Sequence, residues 1–184
     1  MIRAISVDMD GTFLDGNGEY DRARFEKIYV ELMKRGIKFI VASGNQYYQL
    51  KSFFPGKDDT FIKFALDVEV AKTGQIVEDL NQMFAGEIRA VSSGHGSIDI
   101  IIPGVTKGSA IQQLLNEWQV APDDLLAFGD ANNDIEMLQL TSHSYAMQES
   151  SPEVLAAAKH VAASNKEAGV LQVIEEYMKK SQRP

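Results

Sequence analysis

Asp8 and Asp10 stand one residue apart in "VDMDGT", directly after the apolar run Ile2–Val7. Two carboxylates this close repel one another unless a cation or a proton lies near them. Ser43, Gly44 and Asn45 close the stretch "IKFIVASGN", Lys107 opens "KGSAIQQLL", and Asp130, Asn133 and Asp134 lie in "GDANND". Several carboxylates with one lysine suit a hard divalent cation beside a phosphate, and Mg2+ is the expected ion because it takes oxygen ligands and keeps phosphate company. Ser43 and Lys107 supply donors for phosphoryl oxygens. A carboxylate can also attack phosphorus and carry it as an aspartyl-phosphate. Phosphoryl transfer asks mainly for positioning and neutralised charge, which this set offers.

These groups must be brought together by the elements around them. Ile2–Val7 and Ile37–Ala42 are short apolar runs that read as buried strands. Between them, Phe25, Ile28, Tyr29, Leu32 and Met33 recur at helical spacing over Arg22–Arg35, and Gly36 ends the helix. A further helix is expected over Gln46–Phe54. The pattern changes after Pro55-Gly56: an alternating strand at Ile62–Val68, an amphipathic helix at Thr73–Ala85, and two strands, Glu87–Ser93 and Ser97–Ile102, around the turn "SGHG". From Lys107 the first pattern resumes. Helices are expected at Lys107–Trp118, Asn132–Leu140, Pro152–Lys159 and Ala168–Lys179, with strands at Asp124–Phe128 and Ser144–Met147. The reading is an α/β chain: a doubly wound parallel sheet from residues 1–57 and 104–184, interrupted by a small α+β insert, 58–103.

In such a sheet, ligands bind beyond the carboxyl ends of the strands. Asp8 and Asp10, then Ser43, Gly44 and Asn45, then Asp130, Asn133 and Asp134 all follow expected strands, and Lys107 begins the helix returning from the insert. Residues i and i+2 of a strand share a face. A strand continuing through "DMD" aims Asp8 and Asp10 into one space with Met9 turned away, while Gly11 permits a sharp turn with backbone close to a phosphate.

Composition narrows the partners. The chain has 184 residues, 18 Lys+Arg against 26 Asp+Glu, a net charge of −8 and no cysteine. The acidic balance argues against nucleic acid, whose binding rests on Lys and Arg. Disulfides, a thiol nucleophile and thiolate metal sites are excluded. The absence of cysteine fits a reducing compartment, and a cytoplasmic location is expected. No stretch approaches the apolar length of a membrane span, and the start "MIRAISVDMDG" lacks the pattern of a signal peptide.

"DMDGT" (Asp8–Thr12), "VASGN" (Val41–Asn45), Lys107 and "GDANND" (Gly129–Asp134) resemble, in order, the four motifs of haloacid dehalogenase-like (HAD) phosphatases. "RGIKFIVASGNQYYQLKSFFP" and "SIDIIIPGVTKGSAIQQLL" are similar to the Cof-type bacterial sugar phosphatases of that superfamily. The resemblance implies a Rossmann-like core with a cap inserted after the second motif, and hydrolysis of a small phosphorylated substrate. It implies Asp8 as nucleophile and Asp10 as acid and base. Ser43 and Lys107 would bind phosphoryl oxygens. Asp8, the backbone carbonyl of Asp10, and Asp130 would hold Mg2+. Asp134 would support the metal or orient Lys107, and Asn133, Gly44 and Asn45 would line the phosphate pocket. Caps of this type are usually much larger than 58–103. "FFPGKDDTFIKF" joins the core helix directly to what resembles the second half of a cap, so a segment is missing between Pro55 and Phe61. Loss of edge strands and a lid too small to exclude water follow as expectations, with a homo-oligomer covering the edge or the site as one remedy. A cap-truncated protein that mainly binds or oligomerises is an alternative.

Each motif also has a bland reading. The two aspartates could be solvated turn residues, Lys107 a surface lysine, and Ser43 the N-cap of the following helix. His95 lies in the insert's hairpin, where it could reach substrate or simply face water. Tyr47 and Tyr48 follow the second motif and could pack or face the pocket. His143 and His160 read as structural or surface groups and Trp118 as packing. A phosphoryl-accepting receiver domain uses similar ingredients, but it pairs adjacent acidic residues on strand one with an acceptor on a later strand, which "DMD" and "GDANND" fit poorly.

Overall fold

The computed structural model describes residues 1–44, 50, 52–54, 64–94 and 96–180. The chain divides into two compact units, Met1–Ser43 with Thr106–Pro184, and Gly44–Val105.

The first unit is built on five parallel strands: β1 (Ala4–Val7), β2 (Lys38–Val41), β6 (Leu125–Gly129), β7 (Ser144–Met147) and β8 (His160–Ala162), in the order β2-β1-β6-β7-β8. β1 and β6 are buried along their whole length, as strands covered on both faces must be, which is why they read as unbroken apolar runs. On one face, α1 (Arg22–Lys34) and α6 (Gly169–Lys180) pack together. Phe25 anchors α1 in a cluster with Phe13 and Phe39, ring centroids 5.2 and 5.1 Å away. The edge-to-face and tilted geometries suit aromatic quadrupoles. Arg24 also grips Glu175 of α6 through two bonds of 2.7 and 3.0 Å. On the other face, Ile111 and Leu115 of α3 (Lys107–Glu117) and Met137 and Leu138 of α4 (Ile135–Gln139) close over Ala4, Leu125, Ala127 and Ala146. Trp118 packs against this cluster, and Lys38 Nζ lies 5.7 Å from its ring centroid. α5 (Pro152–Ala157) completes this layer. The doubly wound α/β reading holds.

Three local expectations change. β8 was not expected: it is three residues long, with exposed His160 and Val161 at its start, so no apolar run announces it. The helix expected over Asn132–Leu140 is a single 3-10 turn, Asn132–Asp134, running into the short α4. β1 also stops at Val7, before the acidic pair. Met9–Phe13 forms a wide turn in which Asp10 is extended and Gly11 left-handed (φ +79°). The shared-face argument therefore fails. Met9 is fully buried and Asp10 exposed. β2 stands at the edge of the described sheet.

The second unit contains an antiparallel sheet of β3 (Phe64–Asp67), β5 (Ser97–Ile101) and β4 (Arg89–Gly94), with β5 central. α2 (Thr73–Met83) packs on it. Asn81 pins the helix to β4 by exchanging two hydrogen bonds with the backbone of Ala90, at 2.9 and 2.8 Å. Among the described residues, no helix is long and apolar enough to cross a membrane.

Candidate active site

The strand order reverses between β1 and β6: β1 leads outward to β2, and the chain returns on the other side of β1. A crevice opens at such a reversal, beyond the carboxyl ends of the two strands. Asp8 follows β1 and Asp130 follows β6, so the topology alone puts the two carboxylates at its lips.

Lys107 lies at the first position of α3 and reaches both flanking acids. Its Nζ donates to Asp8 Oδ1 and to Asp134 Oδ1, each at 2.6 Å. Burial works against its charge, but Asp8 and Asp134 together outweigh that penalty and the pKa of Lys107 rises. Asp134 is wholly buried. Its other oxygen, Oδ2, accepts the backbone N–H groups of Asp130 and Ala131 at 3.0 and 3.1 Å. Both oxygens of Asp134 are thus engaged by the protein. Asp8 is 7% exposed. Burial, resisted by Lys107 and reinforced by Asp134, pushes its pKa up to about 7. Burial also raises Asp130, against a hydrogen bond from Thr12 Oγ1 to Asp130 Oδ1 at 2.8 Å.

Oxygens of Asp8, Asp130 and Asp134 lie within 4.8 Å of one another. An all-oxygen set of this charge fits a hard divalent cation. Burial raises both Asp8 and Asp130, and a bound cation would offset what burial costs their charged forms. Gly11 serves this cluster more directly than expected. A Cβ there would come 2.3 Å from Asp130 Oδ2, so glycine is required both for the left-handed turn and for the space Asp130 occupies. Gly129 makes similar room for Asp134, whose Cβ would lie 2.4 Å from an added Cβ.

Ser43 leaves the sheet two residues beyond β2, next to the Asp8 end of β1, because Val7 pairs with Val41 and the Ala42 N–H donates to Val7 at 2.8 Å. Asn133 is exposed in the turn that presents Asp134. Gly44 opens the second unit. Asn45, Tyr47, Tyr48 and His95 lie outside the described residues. His143 has a structural partner, with its Nδ1 2.8 Å from the Tyr177 hydroxyl. Sequence reasoning assigned nothing to Thr12, although it stood inside the quoted motif. Its signal was a hydroxyl two residues after Asp10, and its partner lies 118 residues away.

The sequence profile of haloacid dehalogenase-like hydrolases matches residues 5–58 and 52–174. The chain belongs to this family. The two matched pieces meet at residues 52–58, the place where the motifs indicated a missing segment. The HAD chain is 32% identical to the 5-amino-6-(5-phospho-D-ribitylamino)uracil phosphatase YbjI of Escherichia coli K12, over 97% of each protein. That alignment runs over 262 positions, although the chain has 184 residues, so the relative carries a long stretch with no counterpart here. A phosphoglycolate phosphatase of Methanoculleus marisnigri is 25% identical over 93% of the chain and 74% of its own length. Among solved structures, SMU.1108c from Streptococcus mutans UA159 superposes with a TM-score of 0.74 and 30% identity, covering 97% of this chain and all of the other. The resemblance to HAD phosphatases drawn from the four motifs, and to their Cof-type branch drawn from the two longer stretches, is confirmed at the level of family and fold.

Proposed function

We propose that this HAD chain is a Mg2+-dependent phosphatase of small phosphorylated metabolites, with sugar phosphates as the favoured class. The observation that carries the reading is the Asp8–Lys107–Asp134 junction beside Asp130, set where the strand order reverses. Asp8 attacks phosphorus in line. An Asp8 O–P bond forms as the ester O–P bond breaks, and Asp10, exposed on its turn, gives a proton to the leaving oxygen. Asp10 then takes a proton from the water that attacks the aspartyl-phosphate, releasing inorganic phosphate and regenerating Asp8. Lys107 and Ser43 neutralise charge on the phosphoryl oxygens, and Asn133 lines the same pocket. Asp8, the backbone carbonyl of Asp10, and Asp130 would hold the cation, which when bound supplies positive charge opposite the phosphoryl group. Asp134, engaged on both oxygens, orients Lys107.

The name of the E. coli relative specifies a phosphate on a ribityl chain, which supports a phosphorylated polyol or sugar. Residues 58–103 are taken as a reduced cap. Self-association is part of the proposal, supported by the edge position of β2; a monomer by light scattering at assay concentration removes that part. The main test is phosphate release from a panel of sugar, glycolate and nucleotide phosphates, with Mg2+ and with chelator. Release that the chelator stops is expected. No release from any of them, even a small aryl phosphate, overturns the phosphatase reading.

A further inference from the structure

Lys107 is held from inside by Asp8 and Asp134, but the turn that carries it is also held from outside. Thr106, the N-cap of α3, accepts the Ser109 N–H at 3.1 Å, and the Ser109 hydroxyl accepts the Thr106 N–H at 2.8 Å. The Thr106 hydroxyl, which accepts there with a lone pair, still has its one proton to give, and donates it to Glu136 Oε2. Glu136 is the second residue of α4. The two helix starts also touch at their backbones. A Cβ on Gly108 would come 2.6 Å from Glu136 Cβ and 2.8 Å from its carbonyl carbon, so no other residue fits without moving α3 away from α4.

The pairing is ordered. Asp134 and Glu136, two residues apart, grip Lys107 and Thr106, which are adjacent. Asp134 is buried and Glu136 exposed. An exposed glutamate on a short helix is ordinarily a solvated residue with little to do. This one accepts a hydroxyl from the neighbouring helix at the start of that helix, where a negative charge is also favourable to the helix dipole.

We propose that Glu136 is a positioning residue for Lys107. Through Thr106 it fixes the first turn of α3 against the segment that carries Asp134, and so fixes where the lysine stem begins. The proposal rests on the reading of Lys107 as the group that neutralises phosphoryl charge. A lysine stem has four rotatable carbons, and its ammonium keeps one place only if its backbone does. Displacements near 1 Å are costly when reacting groups must be aligned.

The test compares wild type, Glu136→Ala, Glu136→Gln and Thr106→Ser with an aryl phosphate and Mg2+. Glu136→Ala is expected to lower kcat about tenfold with KM changed less than about twofold. Glu136→Gln keeps an acceptor and Thr106→Ser keeps the hydroxyl, so each should stay within about threefold of wild type. A merely structural Glu136 would shift the melting temperature in Glu136→Ala and leave kcat below the transition unchanged; that result overturns the proposal. Equal kcat losses in Glu136→Ala and Glu136→Gln also overturn it, since charge rather than the tether would then be at work. Amide exchange at Ser109 and Ala110 gives a readout without turnover and should quicken in Glu136→Ala. If wild type releases no phosphate, the phosphatase reading fails, and exchange alone decides the tether: faster exchange supports it, unchanged exchange sinks it.

Discussion

The two units bury apolar surface very differently. In the first, β1 and β6 are sealed on both faces, and the helical layers meet through fully buried Leu32, Leu115, Met137 and Leu138. In the second, the buried hydrophobic residues among those described are Phe53, Ala90 and Ile98, while Val70, Met83 and Ile102 are 68%, 72% and 64% exposed. A three-stranded sheet with one helix has one dry face, and that is near the lower limit for independent stability. The contrast matters for chemistry. A junction of three carboxylates and an ammonium is costly to hold together unless rigid elements surround it, and Asp8, Lys107, Asp130 and Asp134 all belong to the well-packed unit.

The largest effect should come from Asp8→Asn. Phosphate release should fall by on the order of a thousandfold or more, with circular dichroism unchanged; wild-type turnover would show that the packed unit does not hold the nucleophile. Next, Leu115→Ala should cost the main unfolding transition about 2–5 kcal/mol in urea melts. Ile98→Ala, equally buried, should instead speed amide exchange in β4 and β5 and leave β1 and β6 protected. Matching losses from both would mean that the two units unfold as one, and the contrast would be gone.

Gly11→Ala should lose about 1–3 kcal/mol and weaken Mg2+ binding by calorimetry, since the new methyl needs the space of Asp130 Oδ2. pH probes the junction itself. Between the ordinary Asp8 value of 3.8 and about 7, the folded metal-free protein holds a proton that the unfolded chain has lost. This group's contribution to stability is therefore greatest below that window and declines as pH rises through it. Metal-free Asp8→Asn should gain on wild type in thermal melts as pH rises from 4 to 7, whereas a constant difference would remove burial as the cause. Mg2+ should bind more tightly above pH 7 than below it, because the ion must displace that proton. The smallest effect is expected from Arg24→Ala, whose half-exposed pair with Glu175 should be worth no more than about 1 kcal/mol.

What was legible in the sequence follows from the range of each signal. Asp8, Lys107, Asp130 and Asp134 stood out because each sits just past an apolar run or at a helix start, and a short window shows this. The parallel sheet was readable for the same reason. The Asp8–Asp10 geometry was not: strand alternation extrapolates only while the strand lasts, and the left-handed Gly11 that breaks it was read as an aid to phosphate rather than as space for a carboxylate. β8 was missed because three residues pairing at an edge need little hydrophobicity of their own. The bonds of Thr12 to Asp130 and of Thr106 to Glu136 join residues 118 and 30 positions apart, and no local pattern encodes such a partner.

The core releases its chain after Ser43 and takes it back at Thr106. Val41 ends β2 beside Val7, and Lys107 meets Asp8 just past the end of β1, so both openings lie at the same rim of the sheet. Whatever is spliced between them enters and leaves through one doorway. A passage of different length can therefore be joined at the same two points without moving the ends of β1 and β6 that carry Asp8 and Asp130.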